Sequence, residues 1–108
     1  MNDDEKRKLA ELCGLKCETT NGVVHIWIYN TDVADWVAWN PFTNIEQAMT
    51  VAEKVFGWFE FVRTRPVAVW EYRCDGAFSS SHGTIIKRGN GTSLSEAICR
   101  AALNVLEE

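Results

Sequence analysis

At 108 residues with a formal net charge of −4, the chain reads as one domain, residues 1–108, able to bury a single modest core. Its 46% hydrophobic and 24% charged residues exclude a disordered or fibrous polymer. No apolar run approaches the roughly 20 residues needed to span a bilayer. The acidic start, MNDDEKRKLAEL, lacks the apolar core of a signal peptide, so a cytoplasmic chain is expected. That compartment argues for free thiols at Cys13, Cys17, Cys74 and Cys99.

The first predicted element is a helix over Asp3–Cys13. Acidic residues sit at its positive end, Leu9, Leu12 and Cys13 form a thin stripe, and Gly14 stands just beyond its end. So thin a stripe predicts loose docking. A hairpin follows, because Asn21-Gly22 supplies both positive-φ positions of a type I′ turn. In its second strand Val24, Ile26 and Ile28 alternate with Val23, His25, Trp27 and Tyr29. A short strand at Trp36–Asn40 ends where Pro41 removes an N–H.

Thr43–Val55 reads as the second helix, capped from Thr43 with Glu46 or from Asn44 with Gln47. Its expected buried stripe is Ile45, Ala48, Met49, Ala52 and Val55. GWFEFVRT resumes strand periodicity, and Arg65-Pro66 turns into VAVWEYRC, where Trp70 shares a face with Tyr72 and Cys74. Asp75-Gly76 then signals a turn, Ser79–Gly83 a loop, and Thr84–Arg88 a last strand. Gly89-Asn90-Gly91 connects to a closing helix with a Ser93–Glu96 capping box and an apolar stripe at Leu94, Ala97, Ile98, Ala101, Val105 and Leu106. No internal repeat is visible. Tight turns between strands predict an α+β fold with a largely antiparallel sheet covered by helices.

Two stretches carry a family likeness. Trp39-Asn40-Pro41 leading into a helix, and Ala97-Ile98-Cys99 continuing into Ala101-Ala102-Leu103, resemble the phage ABA sandwich domain family of small bacteriophage proteins. The resemblance implies an α/β/α three-layer sandwich, with the N-terminal helix across the sheet from the other two. It transfers no activity and no catalytic residue.

Cys13 and Cys17 have zinc-like spacing, but a second tight pair is missing and Gly14 interrupts the helix between them, so no metal or cofactor is assigned. His25 reads as a strand histidine and His82 as part of a polar loop. No nucleophile elbow, phosphate loop or zinc-protease helix is present, and no catalytic residue is proposed. Glu60 and Glu71 are candidate cross-strand neighbours, with arginines near enough to neutralise them. Arg63, Arg65, Arg73, Lys87 and Arg88 could border a sheet face carrying Trp58, yet the acidic balance argues against nucleic acid.

These readings converge on a non-enzymatic phage accessory protein that binds a host or phage protein. Trp36, Arg63 and Arg65 are the suggested contacts, since aromatic and arginine side chains dominate binding hot spots. A weak homo-oligomer is compatible with the same pattern. The alternative is a small-molecule or nucleotide binder, with or without enzymatic activity, using Ser79–His82 and Gly89–Thr92.

Overall fold

The computed structural model describes residues 2–29, 34–65, 69–81 and 83–106. Helix α1 (Asp3–Leu12) leads into strands β1 (Cys17–Thr20), β2 (Val23–Tyr29) and β3 (Ala34–Ala38). Helix α2 (Ile45–Val55) is followed by β4 (Trp58–Thr64), β5 (Glu71–Ser80) and β6 (Gly83–Gly91), and α3 (Leu94–Asn104) closes the chain. The strands form two antiparallel meanders, β1-β2-β3 and β4-β5-β6. The α+β class, the antiparallel pairing and the helix cover are as expected, in a sandwich-like arrangement of two sheets flanked by helices. A strand-strand-strand-helix order occurs twice, a repeat that the sequence conceals.

The first hairpin turns at Asn21 (φ 53°) and Gly22 (φ 75°), pairing Thr20 with Val23. Val24 and Ile26 enter the core, at 1% and 3% exposure, while the outer face keeps Val23, His25 and Trp27. Helix α1 docks more firmly than its stripe predicts. Leu9 and Ala10 are fully buried beside Cys13, and the buried Trp39 donates its indole N–H to the Lys6 carbonyl at 2.9 Å. The helix ends at Gly14 (φ 70°), where the Leu15 N–H reaches back to the Ala10 carbonyl. Helix α1 touches β1, β2, α2 and α3. It therefore lies beside the other helices, not across a sheet from them.

Helix α2 starts at Asn44, whose side chain accepts from the Gln47 N–H. Gln47 does not return the bond. It accepts from Asn40 N–H and donates to the Ala38 carbonyl, both at 2.7 Å, tying the helix to the end of β3. The buried side is Ala48, Val51 and Ala52, with Ile45 exposed. That departs from the expected stripe because α2 packs chiefly on α3, with a smaller contact to α1.

Two turn signals proved to be strand. β5 runs straight through Asp75-Gly76, and β6 runs through Gly89-Asn90-Gly91. Their glycines face the core, where a Cβ on Gly76 would strike the Phe56 ring and one on Gly89 would strike the α3 backbone at Ala97 and Ala101. These glycines serve close approach, not bending. Helix α3 can thus settle onto β5 and β6 while its other side meets α1 and α2. Ala97, Ile98, Cys99, Ala101 and Ala102 are fully buried, whereas Leu106 remains exposed.

Candidate functional site

The second sheet turns a mixed face outward. Cross-strand register aligns Trp58 with Ala77 and Ile86, and Glu60 with Asp75 and Arg88. Trp58 and Ile86 are both more than half exposed. Asp75 is almost covered on this face, because Arg88 Nε approaches its carboxylate at 2.7 Å and Arg73 Nε at 3.3 Å. Two of the cations expected to form a basic border are therefore occupied by one acid, and no continuous positive stripe results. The Glu60–Glu71 pair is also not formed. Glu71 faces Thr64 across the strands, and Glu60 faces Asp75 instead, since the β4–β5 connection is longer than a tight turn.

Arg63 and Arg65 behave differently from Arg73 and Arg88. Arg63 lies near the end of β4 and Arg65 just beyond it, and their guanidinium carbons sit 4.2 and 5.6 Å from the centre of the Trp70 ring. Trp70 precedes β5, is 42% exposed and stands next to Val69 at 63%. Among the described residues neither arginine has a carboxylate partner, whereas Arg100 is held by Glu96 at 3.0 Å. Stacked cations of this exposed kind hold the ring by about 0.5–1 kcal/mol each. Sequence alternation had put Trp70 on one strand face with Tyr72 and Cys74. The Arg-x-Arg pair just upstream was the signal that could have placed it outside.

Trp36 belongs to the other sheet and is not brought to the arginines. It pairs across β2–β3 with Trp27, ring centres 5.3 Å apart and planes at 66°. This edge-on pair is a favoured aromatic geometry. Trp36 also lines a cleft of about 280 Å³ with Glu18, Thr20 and His25. The His25 ring lies 3.1 Å from the Val23 carbonyl, which ties it to its own strand. His82 and the Thr31–Val33 approach to Trp36 lie outside the described residues.

The thiols are part of the packing. Cys13, Cys74 and Cys99 are buried and Cys17 is half-buried. Burial pushes the Cys74 and Cys99 thiols up to about 12 and Cys13 to about 11, with neighbouring thiols adding to the effect at Cys99. Such groups stay protonated and are poor nucleophiles. Among the described residues no three His, Cys, Asp or Glu side chains gather as metal ligands.

Around Gly89–Thr92 the helix start is internally satisfied. Ser93 Oγ accepts from the Glu96 N–H, while the Glu96 carboxylate accepts from the Thr92 N–H and hydroxyl. Burial works against charge on Glu96, but the hydrogen bonds from Thr92 and Arg100 outweigh it and hold the carboxyl below its ordinary range. Asn90 nonetheless borders two open clefts. One, of about 500 Å³, is lined by Glu5, Arg88, Arg100, Leu103 and Asn104 besides Asn90, and the other, about 250 Å³, reaches Glu71 and Thr92.

Two antiparallel meanders gathered on three mutually packed helices define a small α+β sandwich-like domain. The family model of the phage ABA sandwich domain matches residues 12–103. The chain belongs to that family, which comprises small phage proteins of unknown function. No curated protein matches the chain significantly. No helix among the described residues is long and apolar enough to cross a membrane.

Proposed function

We propose that the chain is a non-enzymatic phage accessory protein of the host cytoplasm, working by non-covalent attachment to a host or phage protein. The observation that carries this reading is the Arg63–Trp70–Arg65 cluster. Two like charges gathered over one exposed ring, with no carboxylate among the described residues, leave donors free for a partner. Arginine and tryptophan are the side chains that most often dominate binding energy. Trp36, edge-on to Trp27 above an uncovered sheet face, supplies a second anchor of the same type. A polynucleotide partner is disfavoured by the net charge of −4 and by the occupation of Arg73 and Arg88.

The test places a photo-crosslinking amino acid at position 65 or 36, with position 11 as control. A discrete covalent adduct from 65 that is lost when Trp36→Ala/Arg63→Ala is added, or from 36 that is lost when Arg63→Ala/Arg65→Ala is added, at unchanged melting temperature, is the expected result. Equal adducts from position 11 would remove the basis for these contacts. The second reading, a small-molecule or nucleotide binder, is favoured by the two clefts that share Asn90. Native mass spectrometry of the purified chain would decide for it by detecting a retained ligand that Asn90→Ala releases.

A further inference from the structure

Helix α2 leaves a strip uncovered that does not fit a helix buried against its own domain. Ile45 is 45% exposed although the sequence pattern assigned it to the core, and Met49 beside it is only half-buried. Together with Glu46, Thr50 and Glu53 they line a shallow groove of about 300 Å³. Glu46 and Glu53 stand two helical turns apart on one face. Neither is ion-paired among the described residues, whose ion pairs use Asp4, Asp75 and Glu96. The groove is thus apolar along its floor and anionic at both ends.

The Arg63–Trp70–Arg65 edge has the complementary form. An exposed indole and Val69 project beside two guanidiniums that lack carboxylate partners among the described residues. Among the described residues no ion pair joins the two surfaces within one chain. We propose that the α2 groove receives the Trp70 edge of a second copy of this chain, with Arg63 and Arg65 facing Glu46 and Glu53 and the indole lying on Ile45 and Met49. This inference rests on the reading of that edge as a protein-binding surface and names its partner.

The two patches differ, so the contact is heterologous. Each copy uses its groove on one neighbour and its edge on another, and assembly proceeds to a ring or a chain. A patch this small lies below the roughly 800 Å² per partner of a stable complex. Association is therefore weak, concentration-dependent and sensitive to salt.

Sedimentation velocity of the full chain at rising concentration tests it. The expected result is a growing sedimentation coefficient at low salt, with affinity falling by about tenfold when salt exceeds physiological strength. Arg63→Glu/Arg65→Glu should remain monomeric, and so should Glu46→Arg/Glu53→Arg, each with the circular dichroism and melting of the parent chain. An equimolar mixture of the two variants should associate again, because every contact between unlike copies regains opposite charges. That recovery separates the contact from simple misfolding. A parent chain that stays monomeric at every concentration overturns the proposal, while adducts to another protein from position 65 would still uphold the broader binding reading. Association that survives both charge reversals also overturns it.

Discussion

The run β1–β2–β3–α2 and the run β4–β5–β6–α3 repeat one order of elements, yet they keep their helices differently. In the second run, α3 lies on β5 and β6, drawn close by glycines at 89 and 91 where side chains would collide with it. In the first run, α2 leaves its own sheet and packs on α3, and α1 takes the vacated place over β1 and β2. The second unit is thus closed by backbone proximity. The first is closed by one large side chain, Trp39, whose indole spans to Lys6. A shared element order therefore does not fix which helix covers which sheet. The small residues facing the helix decide that.

Removing each closure should break a different half. Trp39→Ala is expected to cost most, about 3–5 kcal/mol, because it empties a fully buried indole site and releases α1. Hydrogen exchange should show the α1 amides losing protection well before those of α3. Gly89→Ala should cost about 3 kcal/mol, since the new methyl meets the fixed backbone of Ala97 and Ala101. Here the order reverses, with α3 and β6 exchanging first. If both substitutions deprotect all three helices together, the two halves form one cooperative unit and the comparison loses its energetic meaning.

The same contrast explains what could be read from the sequence. The Asn21-Gly22 hairpin was legible because its turn demands positive φ at both positions, and the chain offers little else. The stripe of α3 was legible because that helix rests on a sheet. The stripe of α2 was misplaced toward Ile45 because the helix rests on another helix, which rotates the buried side to Val51. Gly76, Gly89 and Gly91 looked like turns, since a glycine needed for close approach and one needed for bending carry the same letter. At the candidate site, Arg63 and Arg65 were visible as cations ahead of a turn. Trp70 was not, because extending strand alternation backwards from Tyr72 put it on one face with Tyr72 and Cys74, whereas β5 begins only at Glu71.

The buried thiols offer a sharper measure of how the halves join. Cys13 caps the end of α1, Cys74 comes from β5 and Cys99 from α3, and burial pushes all three above their ordinary value of 9.0. The folded chain therefore keeps protons that the unfolded chain releases above about pH 9. Stability should fall as pH rises from there, by about 1.4 kcal/mol per pH unit for each thiol until its folded-state value is reached. Urea melts between pH 8 and 10.5 (a range set roughly by those titrations) should show the decline, and Cys74→Ala should make it shallower. Labelling with a thiol reagent at neutral pH should find Cys17 first. Cys13 reacting ahead of Cys74 and Cys99 would mean that α1 opens on its own.

The smallest expected effects come from the two helix caps, and their difference still discriminates. Asn44 and Ser93 each accept from the N–H three residues on, at Gln47 and Glu96. An isolated cap of either kind is worth about 1 kcal/mol. The first turn of α3, however, already contains the buried Ser95, and Ala97 follows directly, so fraying there exposes core. The first turn of α2 holds the exposed Ile45 and Glu46, and Gln47 still ties it to Asn40 and Ala38 when the cap is gone. Ser93→Ala should therefore cost about 1 kcal/mol and Asn44→Ala about half of that, read from urea midpoints. Equal losses would indicate that the start of α2 is buried after all, in an assembly where the Ile45 strip is covered by a neighbouring copy.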